Sequence, residues 1–199
     1  MSSENESLSP LPPRSPLLLD RGRSALLVID MQEKLMPAIP QSDRVEWNAS
    51  RLIRAARLFQ VPVVATEQYP RGLGPTVSGI QQLLDLGNEG ALPDKRMFSC
   101  RECCSAFESL KAQDVQQIVV VGVEAHVCVL QTTLDLIAQG FDLFPVADGV
   151  GSRFETDREF AFRRMELAGA TLVTAEMVLF EWCETSAAAE FKTISALVR

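Results

Sequence analysis

The sequence has no apolar run approaching the roughly 18 residues that a membrane-spanning helix requires. Its longest apolar stretches are short, such as residues 25–29 (ALLVI) and 118–121 (IVVV). Excess positive charge is also missing. The net charge of −7 argues against nucleic acid as a partner, because proteins that grip phosphates usually carry a basic patch. No basic segment precedes an apolar one at the N-terminus, so a secretion signal is not expected. The five cysteines, Cys100, Cys103, Cys104, Cys128 and Cys183, are odd in number and irregularly spaced. They do not read as a disulfide framework, and a reduced, cytoplasmic setting is expected. Cys100, Cys103 and Cys104 form a CxxCC cluster, but no second Cys or His pair follows to complete four zinc ligands. Internal repeats are absent.

What remains is a chain of 199 residues with ordinary globular composition, enough for one domain with a substantial core. Residues 1–18, rich in Ser, Pro and Glu, read as a disordered lead-in, and residues 19–199 as the domain. Short β-branched runs alternate with helical patterns. Residues 25–29 are apolar throughout, as expected of a strand covered on both faces. Val45, Ala49, Leu52, Ile53, Ala56 and Phe59 fall on one face of a helix over 45–59. Residues 61–66 read as a second strand, and the Gly- and Pro-rich segment 67–92 as a long irregular connection of the kind that usually serves function. Further strands are expected at 118–122, 141–147 and 170–174. Helices are expected at 126–139, with Val127, Leu130, Leu134 and Ile137 facing inward, and at 156–168. This alternation implies an α/β fold: three layers, α/β/α, with a mostly parallel, Rossmann-like sheet of about six strands. In such folds ligands bind beyond the carboxyl ends of the strands, so residues that follow strands are the ones to weigh.

Asp30 ends the first apolar run. Taken alone it could be a base, a metal ligand, a phosphoacceptor or a cap for the next turn. Cys128 lies at the start of a helix that follows a strand. Unpaired N–H groups there favour a thiolate and could hold an oxyanion, yet a buried structural cysteine fits the position equally well. Lys95, by itself, reads as a surface charge. Together the three have complementary roles: an ammonium to favour the thiolate, and a carboxylate to take the thiol proton and activate water.

Four segments carry a resemblance. VIDMQ (28–32), TEQYPRGLG (66–74), KRMFS (95–99) and GVEAHVCVLQT (122–132) resemble, in order, the signature segments of isochorismatase-like cysteine hydrolases, and particularly the isochorismatase domain-containing subgroup. The likeness runs from residue 24 to about 180. It implies that Asp30, Lys95 and Cys128 are a catalytic triad. It also implies a non-proline cis peptide at Val123–Glu124, with an oxyanion hole from Ala125 or Glu124 and Cys128. Gln32, Tyr69, Phe98 and His126 are expected to line a pocket for a small-molecule substrate, although His126 fits a structural place at the helix start as well. Nicotinamidases of this superfamily hold a metal through an aspartate and two histidines. His126 is the single histidine here, so no metal and no cofactor are expected. The expected reaction is hydrolysis of a small amide or related carbonyl compound through a thioester. A non-catalytic or redox-responsive binding protein on the same fold is the alternative. A homo-oligomer is expected from the resemblance and from the need to order residues 67–92.

Overall fold

The computed structural model describes residues 12–84 and 92–199. Five parallel strands form one sheet: β1 (Ser24–Ile29), β2 (Val63–Gln68), β3 (Asp94–Lys95), β4 (Gln117–Val123) and β5 (Asp142–Gly151), in the order β3-β2-β1-β4-β5. β1 is central, pairing Ile29 with Thr66 of β2 on one side and with Gly122 of β4 on the other. All residues of β1 and β4 are buried. Successive side chains of a strand leave by opposite faces, so a continuous apolar run fills two cores.

One face takes Leu26 and Val28 of β1 with Val119 and Val121 of β4. Against it pack Ala49, Leu52, Ile53 and Ala56 of α1 (Ser42–Leu58), together with Val178, Leu179 and Trp182 of α7 (Ala175–Cys183). The opposite face takes Ala25, Leu27, Ile118 and Val120. Phe107 and Leu110 of α4 (Cys104–Ala112), Leu136 of α5 (Leu130–Ala138) and Met165 of α6 (Glu155–Leu167) close that side. The three-layer α/β/α architecture is therefore as the strand–helix alternation implies. A short α8 (Phe191–Leu197) seats Ile194 in the first core.

Several boundaries differ from the sequence pattern, each for a local reason. The expected strand at 170–174 is reduced to a single bridge, Val146 with Val173. Thr171 N–H donates to Leu143 O, and Val173 N–H to Pro145 O. The reciprocal bond between them would need an N–H on residue 145, which proline lacks. The segment 67–92 is not irregular in its described part. It holds the end of β2, then α2 (Pro70–Leu73) and α3 (Ser78–Leu84), and α3 places Ile80 in the core. Residues 85–91 lie outside the described residues, as do residues 1–11 of the expected lead-in. Residues 12–18 are tied down through Arg14, whose guanidinium donates to Leu19 O at 2.7 Å and to Glu181 O at 2.8 Å. The helix expected from residue 126 opens with a π-helical turn at Ala125–Val129. That wider turn shifts the phase of the α-helical residues after it. Thr132, Thr133 and Leu136 are buried in place of Leu134 and Ile137, which are only partly covered.

Candidate active site

Three chain segments converge at the carboxyl ends of β1, β2, β3 and β4. Asp30 follows β1 directly, with a left-handed backbone (φ 50°) that aspartate tolerates better than most residues. Its N–H still donates to Thr66 O at 3.1 Å, so the ladder to β2 carries it into place. Lys95 ends the two-residue edge strand β3, paired with Gln68. Cys128 arrives from β4 on the π-helical turn. The approach of β4 to β1 depends on Gly122. At φ +123° a side-chain carbon there would lie 2.0 Å from Ile29 O, so no other residue fits without moving the strand that leads to Cys128.

Asp30 and Lys95 form an ion pair at 2.7 Å with both side chains wholly buried. The Lys95 ammonium has three hydrogens and three near acceptors: Asp30 Oδ2 at 2.7 Å, Gln68 Oε1 at 2.8 Å and Phe98 O at 2.9 Å. Asp30 Oδ1 accepts from the Thr66 hydroxyl at 2.9 Å. Cys128 lies within hydrogen-bonding reach of the same carboxylate and is buried, with 5% exposure.

The electrostatics follow from this crowding. Burial alone would push the Lys95 ammonium down, but the opposing effects, led by the adjacent Asp30 charge, outweigh it and hold Lys95 above its ordinary value. Burial raises the Asp30 carboxyl, and Lys95 offsets part of that rise. Burial and the adjacent Asp30 charge push the Cys128 thiol well up, against the pull of Lys95. The resting site therefore does not hold the thiolate expected from the helix start and the ammonium. Cys128 rests as a thiol beside the Asp30 carboxylate.

The other expected residues divide. The Val123–Glu124 peptide is cis, where the resemblance put it. Val123 packs in the core, Ala125 is buried, and the Glu124 carboxylate accepts from Arg153 Nε at 3.0 Å. Phe98 and Tyr69 are exposed, at 52% and 41%. His126 Nδ1 pairs with Ser152 Oγ at 3.0 Å, and its Nε2 stands 3.7 Å from Asp157. Gln32 is fully buried. Both amide hydrogens go to the carbonyls of Gln68 and Gly74, and its oxygen accepts from Gln68 N–H at 2.8 Å. It clamps β2 to the following loop and has no hydrogen left for a ligand. Among the described residues no group of three or more His, Cys, Asp and Glu is placed to hold a metal ion, and no helix is long and apolar enough to cross a membrane. Thr66 and Gln68 are partners that the sequence reading passed over, although both sit in the quoted TEQYPRGLG segment at the two-residue spacing that turns them to one side of β2.

Comparison with known proteins identifies the family. Residues 24–177 match the isochorismatase domain. The chain belongs to the isochorismatase family. It is 41% identical over 176 residues to isochorismatase domain-containing protein 2 of Danio rerio, covering 88% of this chain and 86% of that one. The MAR1 ribonuclease structure from Caenorhabditis elegans superposes with a TM-score of 0.83 at 40% identity, over 91% of this chain and 92% of that one. The YcaC gene product of Escherichia coli, described as an octameric hydrolase of unknown specificity, gives a TM-score of 0.82 at 26% identity, over 93% and 92%. The family is one of hydrolases, and the sheet and its flanking helices are those of the isochorismatase fold.

Proposed function

We propose that this protein is a cysteine hydrolase acting on a small molecule with an amide or related carbonyl group. The observation that carries the reading is the single Asp30 carboxylate placed against both the Lys95 ammonium, at 2.7 Å, and the Cys128 thiol. In the proposed reaction Asp30 takes the thiol proton as Cys128 Sγ attacks the carbonyl carbon. The carbonyl oxygen becomes an oxyanion received by backbone N–H groups at the start of the helical turn, with Ala125 and Cys128 as donors. The tetrahedral adduct collapses, the C–N bond breaks, and Asp30 returns its proton to the departing amine. A thioester remains. Water then loses a proton to Asp30 and adds to the thioester carbon, and the acid product leaves as the thiol is restored.

Lys95 acts in this scheme through its charge. Its three hydrogens are taken up by Asp30, Gln68 and Phe98, so it fixes the carboxylate and lowers the cost of the passing thiolate. No step needs a metal. The octameric assembly named for the Escherichia coli relative supports a homo-oligomeric state here.

The test is a screen of small amides, ureides and isochorismate with the purified protein, alongside labelling by an electrophile and peptide mass spectrometry. Turnover of an amide together with an acyl or alkyl adduct on Cys128 is expected. A chain that turns over a substrate equally well as Cys128→Ala sinks the covalent route.

A further inference from the structure

Beside Lys95 lies a groove of about 440 Å³ whose walls include Arg96, Met97, Phe98 and Arg101 on one side and Gln131 and Leu134 of α5 on the other. Its two walls continue from the groups already described. Segment 96–99 folds back so that Phe98 O receives the Lys95 ammonium at 2.9 Å. Gln131 lies on α5, the helix that continues from the π-helical turn carrying Cys128.

The charges in this groove are unequal. Arg101 is matched by Asp135, also on the groove wall, at 3.6 Å. Glu102 uses its carboxylate on the backbone N–H groups of Arg96 and Met97, at 2.7 and 2.8 Å. The Arg96 guanidinium carbon stands over the Tyr69 ring, 4.1 Å from its centroid, and Arg96 makes no ion pair among the described residues. A guanidinium stacked on an aromatic ring keeps its N–H edge free and loses little freedom on meeting a planar anion. Next to this cation the groove presents Met97 and Phe98, 40% and 52% exposed, as an apolar surface.

We propose that this groove holds the non-reacting end of the substrate, and that this end carries a carboxylate received by Arg96. The substrate class is then a small amide or related carbonyl compound with one carboxylate, joined to the scissile carbonyl by a short apolar segment that lies on Met97 and Phe98. The inference rests on the reading of Cys128 as the nucleophile. Arg96 is assigned to specificity, not to the chemical step.

The experiment compares two alkylating agents of equal length on the full chain: a maleimide bearing a hexanoate tail, and its neutral methyl ester. The rate of Cys128 modification is followed by peptide mass spectrometry. The wild type should favour the anionic reagent. Arg96→Gln should lower the anionic-to-neutral rate ratio by roughly fivefold, the scale of a partly exposed ion pair. Arg96→Lys should restore part of it, and high salt should erode the preference in the wild type by screening. An unchanged ratio in Arg96→Gln overturns the proposal while leaving the nucleophile in place. A fall in both rates together also overturns it, because it assigns Arg96 to packing. A folded wild type whose Cys128 reacts with neither reagent overturns both readings at once.

Discussion

The Lys95 ammonium lies 2.7 Å from the Asp30 carboxylate, and neither side chain has any exposure to solvent. Each charge is held in the interior by the other, so removing one leaves an uncompensated ion. Asp30→Asn should destabilise the protein by about 3–5 kcal/mol, read from urea unfolding midpoints. Asp30→Asn combined with Lys95→Met should recover part of that loss, because the pair disappears together. Purely additive losses would contradict the coupling.

Cys128→Ala should remove hydrolysis by roughly a thousandfold or more while leaving the unfolding midpoint close to wild type. Cys128→Ser should be nearly as inactive, since a buried hydroxyl is a far weaker nucleophile than a sulfur that Asp30 can deprotonate. Initial rates with any substrate found by screening, set against circular dichroism melts, decide this.

The pH dependence follows from Asp30. Only its ionised form can accept the thiol proton, and burial raises its carboxyl above the ordinary 3.8. The acid limb of kcat/KM should therefore fall at a pH above that value. Lys95 governs stability at the other end. Its folded-state value is raised above 10.5, so its contribution is complete below 10.5 and is lost as pH rises through the folded value. A limb at or below the ordinary aspartate value, or alkaline stability indifferent to Lys95→Met, would count against these assignments.

Thr66 is expected to act as a positioning residue through its hydrogen bond to Asp30 Oδ1 at 2.9 Å. Thr66→Val should cost about tenfold in kcat/KM and move the acid limb to higher pH, because a bond favouring the carboxylate is gone. Thr66→Ser, which keeps the hydroxyl, should restore both. Equal losses in the two variants would assign Thr66 to packing alone.

Gly122→Ala tests how β4 is seated. The added carbon would lie 2.0 Å from Ile29 O at a backbone angle that alanine avoids. A loss of about 3 kcal/mol or more in unfolding free energy is expected. A variant of unchanged stability would show that β1 and β4 can part without cost.

Much of this fold is written in local pattern. The continuous apolar runs of β1 and β4 require cover on both faces, and the apolar stripe of α1 supplies it on one, so layers and parallel order follow from periodicity. The positions of Asp30 and Cys128 after strands follow from the same pattern, and the order of the four signature segments marks the family. The tertiary structure decided the rest, because it depends on groups far apart in the chain. Gln32 looks like a pocket residue in VIDMQ, yet its amide is taken up by Gln68 and Gly74. Pro145 lacks the N–H that a ladder to Thr171 would use, and the expected strand at 170–174 is a single bridge. The state of Cys128 is decided in the same way. A helix start and a nearby lysine argue for a thiolate, but burial and the Asp30 charge, from a strand end 98 residues earlier in a chain of 199, hold it as a thiol. Sequence spacing specifies which groups can meet. Desolvation and the distances between charges exist only once the chain has closed around them.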